Sequence, residues 1–140
     1  IGIVKKIPVG ENSRVVSLCI GALSTEHYLT DDRIMSKIDH SGPKLLRKLN
    51  SHPTVDSFLR LSRQFSKSSG IEPQSIKRLL KALEEKGFKR FAMNVFGESA
   101  FTILPQEVSK SLIERVRRLV PHISHIVLSE IDKQGARIID

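Results

Sequence analysis

The chain has 140 residues, 39% hydrophobic and 27% charged, and its 23 basic against 15 acidic side chains give a net charge of +8. That balance excludes an intrinsically disordered chain, and no apolar run approaches the ~18 residues of a membrane-spanning helix. The single cysteine, Cys19, excludes an intrachain disulfide and a cysteine metal cage, so a soluble protein in a reducing, cytoplasmic setting is expected.

The elements follow in chain order. Ile1–Val9 and Arg14–Ile20 are rich in Val, Ile and Leu and flank the polar turn Gly10-Glu11-Asn12-Ser13, which predicts a hairpin. Gly21 punctuates, and Ser24-Thr25-Glu26 offers capping oxygens to a following helix. Ile34, Ile38, Leu45, Leu46 and Leu49 recur near helical spacing, with a kink or break expected at Gly42-Pro43. Pro53-Thr54 starts the next helix, with Val55, Phe58, Leu59, Ser62 and Phe65 inward and Arg60, Arg63 and Lys67 toward water; Ser68-Ser69-Gly70 ends it. Pro73 opens a third helix with Ile76, Leu79, Leu80 and Leu83 on one face, and Gly87 is placed to cap its end.

The last third alternates. Phe88–Phe96 reads as a strand, with Phe91, Met93 and Val95 on one face. Gly97-Glu98 reads as a turn and Ser99–Leu104 as a second strand. Gln106–Val120 is an amphipathic helix with Val108, Leu112, Val116 and Leu119 inward, stopped by Pro121. Ile123–Ile131 and Ala136–Ile139 read as strands around Lys133-Gln134-Gly135. The order implies a single α+β domain, with helices on one face of a largely antiparallel sheet. The chain opens on Ile1 inside an apolar run, with no charged leader before it, so it reads as part of a longer protein without a secretory signal.

Charge is spread evenly: residues 1–70 hold 11 basic and 6 acidic side chains, and residues 71–140 hold 12 and 9. With one Tyr and no Trp there are few stacking platforms, so no nucleic-acid partner is expected and affinity for anions such as phosphate fits equally well. The stretch Asn94 to Ser99 could present backbone amides to an anion, with Gly97 permitting close approach; equally, Gly97 could simply close a hairpin. Ser24 and Thr25 could contact a ligand at a helix N-terminus, or merely cap it. His122 and His125 on one strand would point to opposite faces, so no metal site is expected. Cys19 reads as a small core residue, and Arg115, Arg117 and Arg118 as a solvated helix face.

Three segments together resemble the C-terminal half of GHMP-type small-molecule kinases. They are Ile20-Gly21-Ala22-Leu23-Ser24-Thr25; Pro53-Thr54 through Phe65, with Ser69-Gly70-Ile71; and Met93 to Phe101, with Gly135-Ala136-Arg137 near the end. Within that superfamily they are most similar to the archaeal pantoate-kinase branch. Gly97 stands alone where many members carry a richer glycine loop, and Glu98 where many have a small residue. The resemblance implies a ferredoxin-like C-terminal domain with added helices, whose N-terminal nucleotide-binding half lies outside these residues. It implies transfer of the γ-phosphoryl group of ATP, with Mg2+, to the primary hydroxyl of pantoate in coenzyme A biosynthesis. Ser24 and Thr25 would then stand beside the acceptor, and Asn94, Gly97, Glu98 and Ser99 on the phosphate-loop side. The catalytic groups, ATP and Mg2+ would belong mainly to the other half, and this chain alone would be inactive. A homodimer is compatible with that reading. Alternatives are a kinase for another small alcohol, such as homoserine or mevalonate, or a ferredoxin-like module that binds RNA or a partner. For RNA, Phe91 and Phe101 would be the stacking candidates.

Overall fold

Strand β1 (Ser13–Gly21) encloses Val16 and Leu18 completely and leaves Val15, Ser17 and Cys19 half-buried, the two-residue period of a strand with one covered face. The computed structural model describes residues 5–21, 30–95, 97–120 and 123–134. In it β1 lies inside a four-stranded sheet of order β2-β3-β1-β4, with β2 at Ala92–Met93, β3 at Glu98–Pro105 and β4 at His125–Glu130. Every pairing is antiparallel. Helices α1 (Asp32–Ser51), α2 (Val55–Ser69) and α3 (Gln74–Glu85) connect β1 to β2, and α4 (Gln106–Leu119) connects β3 to β4. This is an α+β fold with the strand order of a ferredoxin-like βαββαβ unit, its first crossover carrying three helices among the described residues.

The core forms where α3 and α4 meet one face of the sheet. Ile76, Leu79, Leu80 and Leu83 of α3 and Leu112 and Val116 of α4 pack with Val16, Leu18 and Ala100. Each fully enclosed leucine contributes on the order of 1.5–3 kcal/mol through removal from water. Local chemistry sets the helix ends. Thr54 caps α2 by accepting the Ser57 amide at 3.1 Å, and Gly70 ends it with φ of 77°, a left-handed conformation that glycine adopts without steric cost. Pro73 stands at the N-cap of α3, and Gly87, with φ of 87°, follows its end.

Several expectations are corrected. Residues 5–9 form no strand, and both edges of β1 are already taken by β3 and β4, so no position remains for an N-terminal hairpin partner. Helix α1 runs unbroken through Gly42-Pro43. Pro43 and Asp39 are exposed, so the bond that Pro43 cannot make falls on the outer face of the helix, while Leu45, Ile34 and Ile38 anchor both halves against the protein. Asp31 caps this helix, its carboxylate accepting the amides of Arg33 at 2.9 Å and Ile34 at 3.2 Å, while the cap expected at Ser24-Thr25 lies outside the described residues. The strand expected over Phe88–Phe96 shrinks to Ala92–Met93, because the chain turns out of the sheet at Asn94 and leaves Val95 58% exposed. On α4 the inward stripe is Ser109, Leu112 and Val116, while Val108 and Leu119 face outward. Strand β4 is shorter at both ends than expected, and the Ala136–Ile139 strand and Pro121 lie outside the described residues.

Candidate functional site

The end of the sheet where β1 finishes and β3 begins gathers most of the residues singled out in the sequence. The β1–β3 register shifts between Cys19 and Gly21, and Gly21 then stands opposite Glu98. A β-carbon at position 21 would lie 2.5 Å from Oε2 of Glu98, so the backbone passes close to that carboxylate. Oε1 of Glu98 accepts the Ser75 hydroxyl at 2.5 Å. Ser75 lies in the first turn of α3, where unsatisfied amides favour negative charge. Glu98 therefore opens β3 and braces it to a helix N-terminus; it is not the turn residue that the sequence suggested.

The hairpin beside it is closed by side chain and backbone together. The Asn94 amide donates to the Ser99 carbonyl at 3.0 Å, and Asn94 Nδ2 donates to Ser99 Oγ at 2.9 Å. The Gly97 amide donates to the Asn94 carbonyl at 3.3 Å, so it is engaged within the turn and not directed to an external anion. A β-carbon on Gly97 would meet Ser99 Oγ at 3.2 Å, tight contact with the hydroxyl that Asn94 holds. Asn94, Gly97, Glu98 and Ser99 thus share one sheet end. Ser24 and Thr25 lie outside the described residues; the strand that leads to them ends at Gly21, against Glu98.

Two clefts flank this end. One, of about 270 Å³, is lined by Ile20, Ser75, Arg78, Leu79, Val120 and Ile123: an apolar pocket with one hydroxyl and one guanidinium at its wall. The other, of about 410 Å³, is apolar and reaches Met93, Asn94 and Val95 from α1 and α2. Sequence reasoning placed Ser75 and Arg78 simply on a helix. The sign of more was Ser75 beside Pro73, at a helix start without a side-chain cap.

Other candidates take different places. Phe91 is 2% exposed in the core, and Phe101 packs on Phe58 with centroids 6.0 Å apart, so neither offers an open ring for a base. The Arg115 guanidinium lies 4.7 Å over the Phe88 ring, while Arg117 and Arg118 are exposed. Cys19 is half-buried on the sheet face opposite Val16 and Leu18, so it is not part of the main core. His125 is exposed on β4 and His122 lies outside the described residues. Among the described residues, no three His, Cys, Asp or Glu side chains stand together as metal ligands. At the hairpin end the residues do not fit ATP or magnesium: Glu98 is committed to Ser75, and Gly97 has no lysine beside it. No described helix is long and apolar enough to cross a membrane.

No family model matches the chain. It is 28% identical over 105 residues to the pantoate kinase of Methanocaldococcus jannaschii, a match covering 74% of this chain and 38% of that protein. It is 25% identical over 97 residues to the pantoate kinase of Thermococcus kodakarensis, covering 69% of this chain and 32% of that one. A solved phosphotransferase related to the CoA biosynthesis pathway superposes with a TM-score of 0.72 at 19% identity, over 88% of this chain and 39% of the other. The resemblance is thus to archaeal pantoate kinases, and the matched segments amount to 38% and 32% of those relatives' lengths.

Proposed function

We propose that this chain forms the acceptor-side, C-terminal domain of an ATP-dependent kinase of coenzyme A biosynthesis, acting in the cytoplasm, with pantoate as the alcohol that receives the phosphoryl group. The observation that carries this reading is the pairing of Gly21 with Glu98. It brings the strand leading into Ser24-Thr25 to the hairpin of Asn94, Gly97, Glu98 and Ser99 in a chain similar to two pantoate kinases. Thr25 and Ser24 would orient the acceptor. The adjoining cleft offers Ile20, Leu79 and Val120 to the dimethyl centre of pantoate and Arg78 to its carboxylate. Homoserine carries an ammonium group, which Arg78 would repel. The nucleotide and Mg2+ would be held by residues outside this chain.

The test is acceptor-dependent ADP release by the complete protein, with pantoate, homoserine and mevalonate compared side by side. Pantoate should be used with the highest kcat/KM, and the 140-residue chain alone should show no turnover. Preference for another alcohol would replace the acceptor, and turnover by the chain alone would overturn the division of labour between two halves.

A further inference from the structure

On the other side of β2 from the hairpin, a cavity of about 690 Å³ opens between α2, the end of α3 and residues 89–91. Five basic and two acidic side chains line it. Both acids are already paired: Asp56 with Arg90 at 3.2 Å, and Glu84 with Arg63 at 2.9 Å. Arg60, Lys67 and Lys89 are exposed at its rim and make no ion pair among the described residues. Like charges gathered without counter-charge repel one another unless an anion joins them.

Arg63 adds a second, independent sign. The sequence places it toward water, yet its side chain is only 13% exposed. Glu84 answers Nη2 alone, and the enclosed Nε and Nη1 have no acceptor. Buried donors of a charged group are costly to leave unanswered, and in folded proteins such a group marks a water or ion that completes it. Arg63 lines the same groove as Arg60 and Lys67, whose long side chains are exposed.

We infer that this groove is a second ligand site, separate from the hairpin end, which takes a small molecule bearing two or more linked phosphates. Arg63 is the enclosed anchor, and Arg60, Lys67 and Lys89 close on the remaining phosphate oxygens. A linked diphosphate fits better than a single carboxylate because the free cations are spread over two elements, α2 and the segment after α3. The inference does not depend on the kinase reading, since none of these residues belongs to the hairpin end.

The experiment is calorimetric titration of the 140-residue chain at low ionic strength with inorganic pyrophosphate and, separately, with ADP. Saturable one-to-one binding is expected. A Lys67→Ala/Lys89→Ala double variant should bind at least about tenfold more weakly, the loss of one or more charge-assisted contacts. Both positions are exposed, and an unchanged circular dichroism spectrum would confirm folding. An Arg117→Ala/Arg118→Ala variant on α4 should bind like the parent. Equal affinity for pyrophosphate and ADP identifies the diphosphate itself as the ligand; tighter ADP binding identifies a nucleotide. The proposal fails if no saturable binding occurs, if the groove variant binds as the parent does, or if the α4 variant loses as much. Tighter binding of single-stranded RNA than of either diphosphate would overturn it too.

Discussion

The carboxylate of Glu98 occupies the space that a side chain at Gly21 would need, while holding the Ser75 hydroxyl at the start of α3. One acid thus fixes the backbone of β1 and the N-terminus of a helix at the same place. Gly21→Ala should displace that carboxylate and weaken its bond to Ser75, at a cost of about 1.5–3 kcal/mol. In a Glu98→Ala background the same change should cost almost nothing. Chemical denaturation of the four proteins of this cycle would measure the coupling. Additive effects would show that the two positions do not share this space.

Pro43 lies in the interior of α1 without interrupting it. Both Pro43 and Asp39 are exposed, so the missing bond lies away from the core. Pro43→Ala should restore an intrahelical bond and stabilise the protein by up to ~3 kcal/mol, the propensity difference between the two residues. A fall in melting temperature would mean that the ring makes a contact worth more than the bond.

Capping and the proposed substrate contact are tested by different variants before α1. Because Asp31 supplies the cap, Asp31→Ala should cost ~1 kcal/mol. On the proposed kinase reading, Thr25→Val should leave the melting temperature in place and, in the complete protein, raise the pantoate KM or lower kcat. Stability lost with kinetics intact would make Thr25 a structural residue.

Gly97 is not required by its backbone angles, since the described glycines with positive φ are Gly70 and Gly87. Its constraint is Ser99, whose hydroxyl a β-carbon would approach to 3.2 Å. Gly97→Val should therefore loosen the Asn94–Ser99 clasp while costing less than about 1 kcal/mol of stability, the net worth of an ordinary hydrogen bond. In the complete enzyme turnover should fall more than stability does; normal kinetics in a folded variant would reduce Gly97 to a turn residue.

Thr102 is fully buried and its hydroxyl has no hydrogen-bond partner. Thr102→Val keeps the shape and removes a polar group buried without compensation, so it should be neutral or stabilising by ~1–2 kcal/mol. Destabilisation on thermal melting would indicate a bound water that the hydroxyl serves.

Helices α2 and α3 were legible because their ends are written in residues with one dominant conformational role: Thr54, Gly70, Pro73 and Gly87. Their inward faces followed from period alone; Ile76, Leu79, Leu80 and Leu83 are all buried. What failed depended on tertiary partners. Nothing local to β1 says that both its edges are occupied, and nothing near Pro43 says that it will lie on the outer face of an unbroken helix. Val108 and Ser109 differ by one position, about 100° around the helix, and only the neighbouring sheet decides which points in. At the site, Gly97 could be placed in its turn from sequence, but Ser75, 23 residues from Glu98, could not be connected to it. Arg63 was read as solvated because its partner Glu84 arrives from another helix.

The central position of β1 also sets the order in which the sheet can be completed. Its partners come late: Arg14 pairs with Leu104 on one side and with Glu130 on the other, 116 positions later in the chain. During synthesis β1 leaves the ribosome before the other three strands of the sheet and has no edge to join until β3 and β4 have followed. Such sequence-distant pairing slows folding. In the interval the three helices of the first crossover can form and pack on one another, while Val16 and Leu18 wait uncovered. Pausing translation before β4 should therefore leave a nascent chain that is helical, sensitive to protease within β1, and retained by chaperones until residues 125–130 emerge.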